Sequence, residues 1–300
     1  MLKLPLVSVI IPSYNYEKYI EQAILSVVNQ TYQNLELVII DDCSSDTSFL
    51  LIQKLAETYQ NDMRFVLHQN KQNKGAYAAI NDGILMAHGE YITILNADDL
   101  YMPNRLEKMM DKLLLEQREW AFSKVSCIDE SGQPTNVQEF ADIQKNVCHV
   151  KFMALCAVAQ NVAVSTGNLL FSKKLYAQLN GFQNYQYVHD YDFFVRACLV
   201  CEPAFAANTE YLYRLHGKNT FLSLAKEGLR ENRMVWLDFY HNIQSRNIQN
   251  QFILQNQDYL KDFEQAVRAY GDKKLFLWKH AKNPLLRLGV WFLKSVHHIS

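Results

Sequence analysis

A glycine-rich phosphate loop is missing from this chain. Neither GxGxxG nor GxxxxGK[ST] can be assembled from its ten glycines. That argues against a dinucleotide-binding oxidoreductase and against a P-loop NTPase. Strong charge of one sign is missing too. The net charge is −1, and Lys and Arg are scattered, so there is no basic footprint for nucleic acid. The six cysteines, Cys43, Cys127, Cys148, Cys156, Cys198 and Cys201, are irregularly spaced in a 300-residue chain. A disulfide framework belongs to short secreted chains, so free thiols in a reducing compartment are expected. The lone CxxC of Cys198 and Cys201 has no second pair to complete a zinc site and reads as two buried thiols on a helix. The first six residues lack a basic region followed by an apolar run, so no signal peptide is expected. No apolar stretch reaches the ~18–20 residues of a membrane span. The best candidate, 152–171, is interrupted by Gln160, Asn161, Ser165, Thr166 and Asn168. The expected location is cytoplasmic.

What is present is alternation. Hydrophobic residues make up 49% of the chain, enough for a sizeable core. Short β-branched or apolar runs at 6–11, 35–40, 64–67, 91–95 and 121–127 read as strands. The first is ended by Pro12. Helical spacing fills 17–29, 46–59, 76–87 and 103–117 between them. Asp46 caps the second helix, Gly89 closes the third as a C-terminal stop, and Pro103 opens the fourth. This pattern predicts an α/β fold with a mostly parallel sheet covered on both faces. Beyond about residue 150 the alternation weakens. Short strands are expected at 168–171 and 211–214, a helix at 190–200, and a helical pattern from Leu224 onward.

In such sheets ligands sit at the carboxyl ends of the strands. Three polar clusters fall there: Pro12-Ser-Tyr-Asn15, Asp41-Asp-Cys-Ser-Ser-Asp46 and Asn96-Ala-Asp-Asp99. Adjacent carboxylates repel unless a cation sits near them. Asp98 and Asp99 therefore suit Mg²⁺ or Mn²⁺, with phosphate oxygens and water completing the shell; equally, they cap the segment before Pro103. Asp42 is a ligand contact for a base edge or ribose, or a surface-loop residue. Asp190 is a helix cap on the residues alone.

The ordered series Val9-Ile-Ile-Pro-Ser-Tyr-Asn15, Ser26-Val-Val-Asn-Gln-Thr31, Val38-Ile-Ile-Asp-Asp42 and Gly89-Glu-Tyr-Ile-Thr-Ile-Leu-Asn-Ala-Asp-Asp99 resembles the family 2 glycosyltransferases with the GT-A fold. The likeness is close over 5–110. It continues loosely to 216 through Gly181-Phe182, His189-Asp-Tyr-Asp192 and Tyr213-Arg-Leu-His216. No single piece is specific; the linked order is. The resemblance implies that Pro12, Tyr14 and Asn15 line the nucleotide pocket, with Tyr14 near the base. It implies that Asp42 contacts uracil or an equivalent base, that Asp98 lies near the ribose, and that Asp99 binds the metal. Asp190 falls where such enzymes place the general base, and His216 where some place a further metal or pyrophosphate contact. Three departures stand out. Asn96 begins the acidic motif where the family often has Asp. His189 precedes Asp190 where the family often has Glu. Ala79-Ile-Asn81 lacks the family's usual arginine, which makes Lys74 a substitute phosphate or nucleotide contact.

The resulting expectation is a GT-A catalytic domain over 1–217 and a helical extension over 218–300. Its function would be metal-dependent, inverting transfer from a nucleotide sugar, with UDP-sugar favoured, to a hydroxyl of a glycan or lipid-linked glycan in polysaccharide biosynthesis. Asn96 and His189 sustain the rival, a non-catalytic sugar-nucleotide or glycan-binding protein on the same fold. A nucleotidyltransferase would want a glycine-rich basic loop where Pro12 to Lys18 stands. Residues 273–300 carry Lys273, Lys274, Lys279, Lys282, Arg287 and Lys294, no acid, and interleaved Phe276, Trp278, Trp291 and Phe292. Such a segment suits either the surface of an anionic membrane or a helix docked on the domain.

Overall fold

The computed structural model describes residues 4–147, 153, 161–217, 219, 226–245 and 247–255. In chain order the first half runs β1 (Val7–Ser13), α1 (Ile20–Val28), β2 (Leu35–Asp41), α2 (Ser48–Tyr59), β3 (Arg64–Gln69), α3 (Ala76–Met86), β4 (Tyr91–Ile94), β5 (Leu100–Tyr101) and α4 (Arg105–Leu115). The second half runs β6 (Trp120–Ile128), β7 (Pro134–Thr135), α5 (Gln138–Val147), β8 (Leu169–Ser172), α6 (Lys173–Gln178), α7 (His189–Val200), β9 (Ala204–Arg214), α8 (Lys226–Gln244) and α9 (Gln251–Leu254). The strands form one sheet in the order β3-β2-β1-β4-β8-β6-β9-β5, with β7 on β6.

Strands β3, β2, β1 and β4 run parallel to one another. The weaker alternation of the second half corresponds to a mixed sheet. There β8 is antiparallel to both β4 and β6, and β9 runs parallel to β6. Strand side chains alternate between faces. Ile10, Val38 and Ile40 pack on one face with Ile80 and Ile84 of α3, Phe193 and Phe194 of α7, and Trp236 of α8. Val9, Ile11, Leu37 and Ile39 pack on the other with Ile20 and Ile24 of α1, Ile52 of α2, and Leu106 and Met109 of α4. Each such fully buried side chain is worth about 1.5–3 kcal/mol relative to exposure. Helix α8 lies in the expected extension, yet its Val235, Trp236 and Phe239 join the first of these clusters. Residues 273–300 lie outside the described residues.

Two expected stops act differently. Pro12 does not end β1, which stays paired with β2 as far as Ser13↔Asp41. The carbonyls of Leu6 and Ile10 accept from Tyr91 and Leu95, so the even-numbered backbone of β1 faces β4. The β1–β4 ladder ends at Ile10↔Ile94. Pro12 therefore lacks an N–H only where no partner strand asks for one. Gly89 is not the C-cap of α3 either; that position is Ala87, in extended conformation. Glycine is required at 89 by close approach, because a Cβ there would lie 2.4 Å from Ser8 Oγ and 2.7 Å from Ser8 N. The Gly89 N–H donates to Ser8 Oγ at 2.8 Å, and Ser8 Oγ donates to the buried Glu36.

Among the described residues Cys43, Cys127, Cys198 and Cys201 are free thiols, and no helix is long and apolar enough to cross a membrane. Gly89→Ala must push against the β1 backbone itself, so it is expected to lower stability by about 1–3 kcal/mol. Urea denaturation measures this, and an unchanged midpoint would show that the contact relaxes freely.

Candidate active site

The carboxyl ends of β1, β2 and β4 converge, and β9 crosses beside them. At the end of β1, Asn15 adopts φ 58°, a left-handed conformation that Asn tolerates better than most residues. Its backbone N–H donates to Ser44 Oγ at 2.9 Å, and its Oδ1 accepts from Ser45 N at 2.8 Å. The loops after β1 and β2 are thereby tied together beside Pro12. Tyr14 is 46% exposed, so its ring is available to stack on a planar ligand.

After β2, the Asp42 carboxylate is buried and accepts from Asn70 Nδ2 at 2.8 Å, Lys74 N at 3.0 Å and Gly75 N at 2.8 Å. It thus shapes the turn into α3. Lys74 meets Asp42 through its backbone; its ammonium pairs with Asp82 at 2.6 Å. Asp46 accepts from Glu17 N at 3.1 Å and from Ser48 N at 2.9 Å, in the first turn of α2.

The turn after β4 separates Asp98 from Asp99. The Asp99 carboxylate is 1% exposed. Its Oδ1 accepts from Arg214 N at 2.7 Å; its Oδ2 accepts from Asn96 Nδ2 at 3.0 Å and from the Tyr211 hydroxyl. Burial, then the charge of Asp98, raises its pKa well above the carboxylate range. Asp98 points elsewhere. Its Oδ2 lies 2.8 Å from His216 Nε2. The His216 ring stacks on Tyr19 at 5.3 Å and meets Tyr16 edge-on at 6.5 Å. Burial, then the charges of Asp98 and Asp99, keeps the Tyr16 phenol protonated far beyond its ordinary range.

Arg214 is fully buried. Its Nε donates to the Asp98 carbonyl at 2.7 Å, its Nη2 to Gln22 Oε1 at 2.8 Å, and its Nη1 to the Glu130 carbonyl at 3.2 Å. Every nitrogen of its guanidinium serves the protein, so it holds the turn rather than presenting charge to a diphosphate.

Asp190 lies in the first turn of α7, half-buried. Its Oδ1 accepts from Tyr191 N at 2.7 Å and its Oδ2 from Asn161 Nδ2 at 3.0 Å. Burial raises its pKa; the neighbouring His189 and these hydrogen bonds oppose that rise. Burial lowers the pKa of His189, whose Nε2 lies 3.1 Å from Thr166 Oγ1. Tyr213 stands on β9. Its phenol pKa is raised first by burial, then by the charges of Asp99, Asp98 and Asp190.

The donor set fits a divalent cation that arrives with a diphosphate. One carboxylate and one imidazole stand together, and among the described residues no group of three or more His, Cys, Asp or Glu could form a closed protein cage. Hard cations of the Mg²⁺ and Mn²⁺ type leave remaining positions to phosphate and water. Sequence reasoning missed Tyr16, Tyr19, Asn161 and Tyr211. The only signal for Tyr211 was its alternation with Tyr213 in a strand leading to His216.

Comparison with known proteins agrees with this architecture. Residues 8–175 match the profile described as glycosyl transferase family 2. An uncharacterized glycosyltransferase of Haemophilus influenzae is 31% identical over 231 residues, covering 72% of this chain and 67% of that one. The putative teichuronic acid biosynthesis glycosyltransferase TuaG of Bacillus subtilis is 34% identical over 130 residues, 43% of this chain; the match spans only half of TuaG. Among solved structures, S. aureus TarS 1–349 in complex with UDP-GlcNAc superposes with a TM-score of 0.66 at 17% identity, covering 88% of this chain and 72% of that one. The sheet with its flanking helices is the GT-A fold, and the chain belongs to glycosyl transferase family 2 as a glycosyltransferase.

Proposed function

We propose that this chain transfers a sugar from a nucleotide-sugar donor, with UDP-sugar favoured, to a hydroxyl of a glycan or lipid-linked glycan, inverting the anomeric centre. The observation that carries this reading is the spacing of duties at one sheet edge. Asp98 and His216 form a buried pair 2.8 Å apart, and Asp190 forms a separate carboxylate with a raised pKa. The UDP-GlcNAc bound to TarS and the teichuronic acid role in the name of TuaG support the donor and the glycan product. The catalytic domain would span 1–217 and the helical extension 218–300.

Within this reading Pro12, Tyr14, Asn15 and Asp42 frame the nucleoside. Tyr14 offers its ring to the base, and Asp42 acts through the turn it holds. The Lys74 ammonium would reach a phosphate only by leaving Asp82. Asp98 and His216 would hold Mn²⁺ or Mg²⁺, which when bound offsets the charge developing on the departing diphosphate. The Asp99 oxygens take three donors from the protein, so we assign it to shaping the turn and assign the cation to Asp98 and His216, whose mutual hydrogen bond would open to admit it. Asp190 accepts the proton of the acceptor hydroxyl as that oxygen bonds the anomeric carbon and the bond to the diphosphate breaks. One displacement from the opposite face gives inversion. The non-catalytic alternative has less support, since Asp190 stands in a half-buried site suited to a base.

The test is a screen of nucleotide sugars for transfer or hydrolysis, with and without Mn²⁺. In the active pairing, Asp190→Asn is expected to leave donor binding intact and lower turnover by about 10²–10⁴-fold. Normal turnover in that variant would remove Asp190 from the mechanism. Asp190 must be deprotonated to act, and burial raises its pKa. Turnover is therefore expected to fall on the acid side at a pH above that of a free aspartate, read from the kcat–pH profile. A limb at the value of a free carboxylate would contradict it.

We place the enzyme in the cytoplasm, at the inner face of the membrane, through 273–300. The support is the sequence pattern of that segment. The full chain is expected to sediment with anionic vesicles. Replacing Lys273, Lys274, Lys279, Lys282, Arg287 and Lys294 by Gln should abolish this, and equal recovery of both proteins would refute the contact.

A further inference from the structure

The segment leading into β8 carries a strained residue and touches both halves of the site. Val164 has φ 72°, the left-handed region, where a β-branched side chain is unfavourable. Such a conformation persists only where its surroundings over-determine it, and here they do. Val164 N donates to the Asn161 carbonyl at 3.2 Å, closing the turn. Asn168 Nδ2 donates to the Ala163 carbonyl at 3.0 Å and to the Ser123 carbonyl at 2.8 Å. Asn168 Oδ1 in turn accepts from the buried Arg105 at 2.9 Å. The turn is thereby anchored to the core.

Three side chains of this segment reach the site. Asn161 Nδ2 donates to Asp190 Oδ2 at 3.0 Å. Ser165 Oγ accepts from Asn96 Nδ2 at 3.0 Å, and the same amide donates to Asp99. Thr166 Oγ1 lies 3.1 Å from His189 Nε2. The orientation of Asn161 is fixed by its own turn, because its Oδ1 accepts from Ala163 N at 3.1 Å. The donor end of the amide is thus the end that meets the carboxylate. Gly167 closes the circuit, since a Cβ there would fall 1.9 Å from the Tyr211 hydroxyl that holds Asp99.

We propose that Asn161 is a positioning residue for the general base, and that the Val164 turn fixes Asp190 relative to the Asn96–Asp99 turn. This rests on the reading of Asp190 as the base. One rigid segment then sets the separation between the proton acceptor and the leaving-group site, which neither α7 nor β4 could set alone. Such pre-organisation matters because small misplacements of reacting groups cost large factors in rate. The charged and titratable groups around Asp190 are His189 beside it on α7 and Tyr213 from β9, with Asp192 of α7 and Glu231 of α8 acting on His189.

A donor to a carboxylate favours its charged form. Removing that donor therefore raises the pKa of Asp190, and placing a second carboxylate there raises it further. Two variants test this, Asn161→Ala and Asn161→Asp, with folding checked by circular dichroism. In both, the acid limb of the kcat–pH profile is expected to move to higher pH, more for Asn161→Asp, with KM for the donor unchanged. A purely structural role would lower kcat or the melting temperature and leave the limb in place. An independent readout is ¹³C titration of the Asp190 carboxyl, assigned with Asp190→Asn, in the wild type and in both variants. An upward shift in both variants supports the positioning role; an identical midpoint in all three proteins overturns it. If the wild type transfers no sugar from any donor, the catalytic reading fails, while the carboxyl titration still decides whether Asn161 sets Asp190.

Discussion

A carboxylate that is almost completely removed from water must be hydrogen-bonded in place, and at the end of β4 that carboxylate is Asp99. Its three donors come from two parts of the chain: Asn96 in its own turn, and β9, through the Tyr211 hydroxyl and the backbone of Arg214. Satisfying this one group fixes the turn, brings β9 against it, and leaves Asp98 pointing away toward His216. The division between the two carboxylates follows from the turn, which sends adjacent side chains to different partners, Asp99 to Asn96, Tyr211 and Arg214 and Asp98 to His216.

The same network extends into the core. Tyr211 and Tyr101 flank the buried Arg105, whose guanidinium lies 5.4 Å and 4.3 Å from the two ring centres. Arg105 in turn bonds Asn168 and Ser123. A buried guanidinium and a buried carboxyl group thus both meet Tyr211 and are linked through it. Breaking one partner of such an arrangement leaves the other uncompensated. The polar chain therefore specifies one arrangement of β4, β6, β8 and β9, the region where the sheet ceases to be parallel.

Much of the first half was legible in sequence because its physics is local. Buried β-branched runs and amphipathic helices of ordinary length place β1 through β4 and α1 through α4 within a few residues. Pro12 and Gly89 were misread because their roles depend on neighbours distant in sequence: β4 for Pro12, Ser8 and Glu36 for Gly89. The second half was less legible because β8 and β9 pair out of chain order, which no periodicity announces. At the site, the resemblance gave the metal to Asp99 and the ribose to Asp98, whereas we propose the cation at Asp98 because the protein engages the Asp99 oxygens. That division is decided by Tyr211 and Arg214, more than 110 residues later. The Arg214 guanidinium is buried and bonded to Asp98, Gln22 and Glu130, a set of partners no short motif announces. Asn161 had no motif at all, and its significance lies in a single amide orientation.

The central claim, that Asp98 faces the ligand while Asp99 holds the turn, is tested most directly by comparing Asp98→Asn with Asp99→Asn. Mn²⁺ binding in the presence of UDP would be measured by calorimetry, and stability by thermal unfolding. Asp98→Asn is predicted to lose Mn²⁺ binding and keep the wild-type melting temperature, because an amide can still accept from His216. Asp99→Asn is predicted to lose about 1–3 kcal/mol of stability, because its new NH₂ faces the Asn96 amide donor in a buried site. The account is contradicted if Asp99→Asn unfolds like wild type but binds no Mn²⁺ while Asp98→Asn binds it normally.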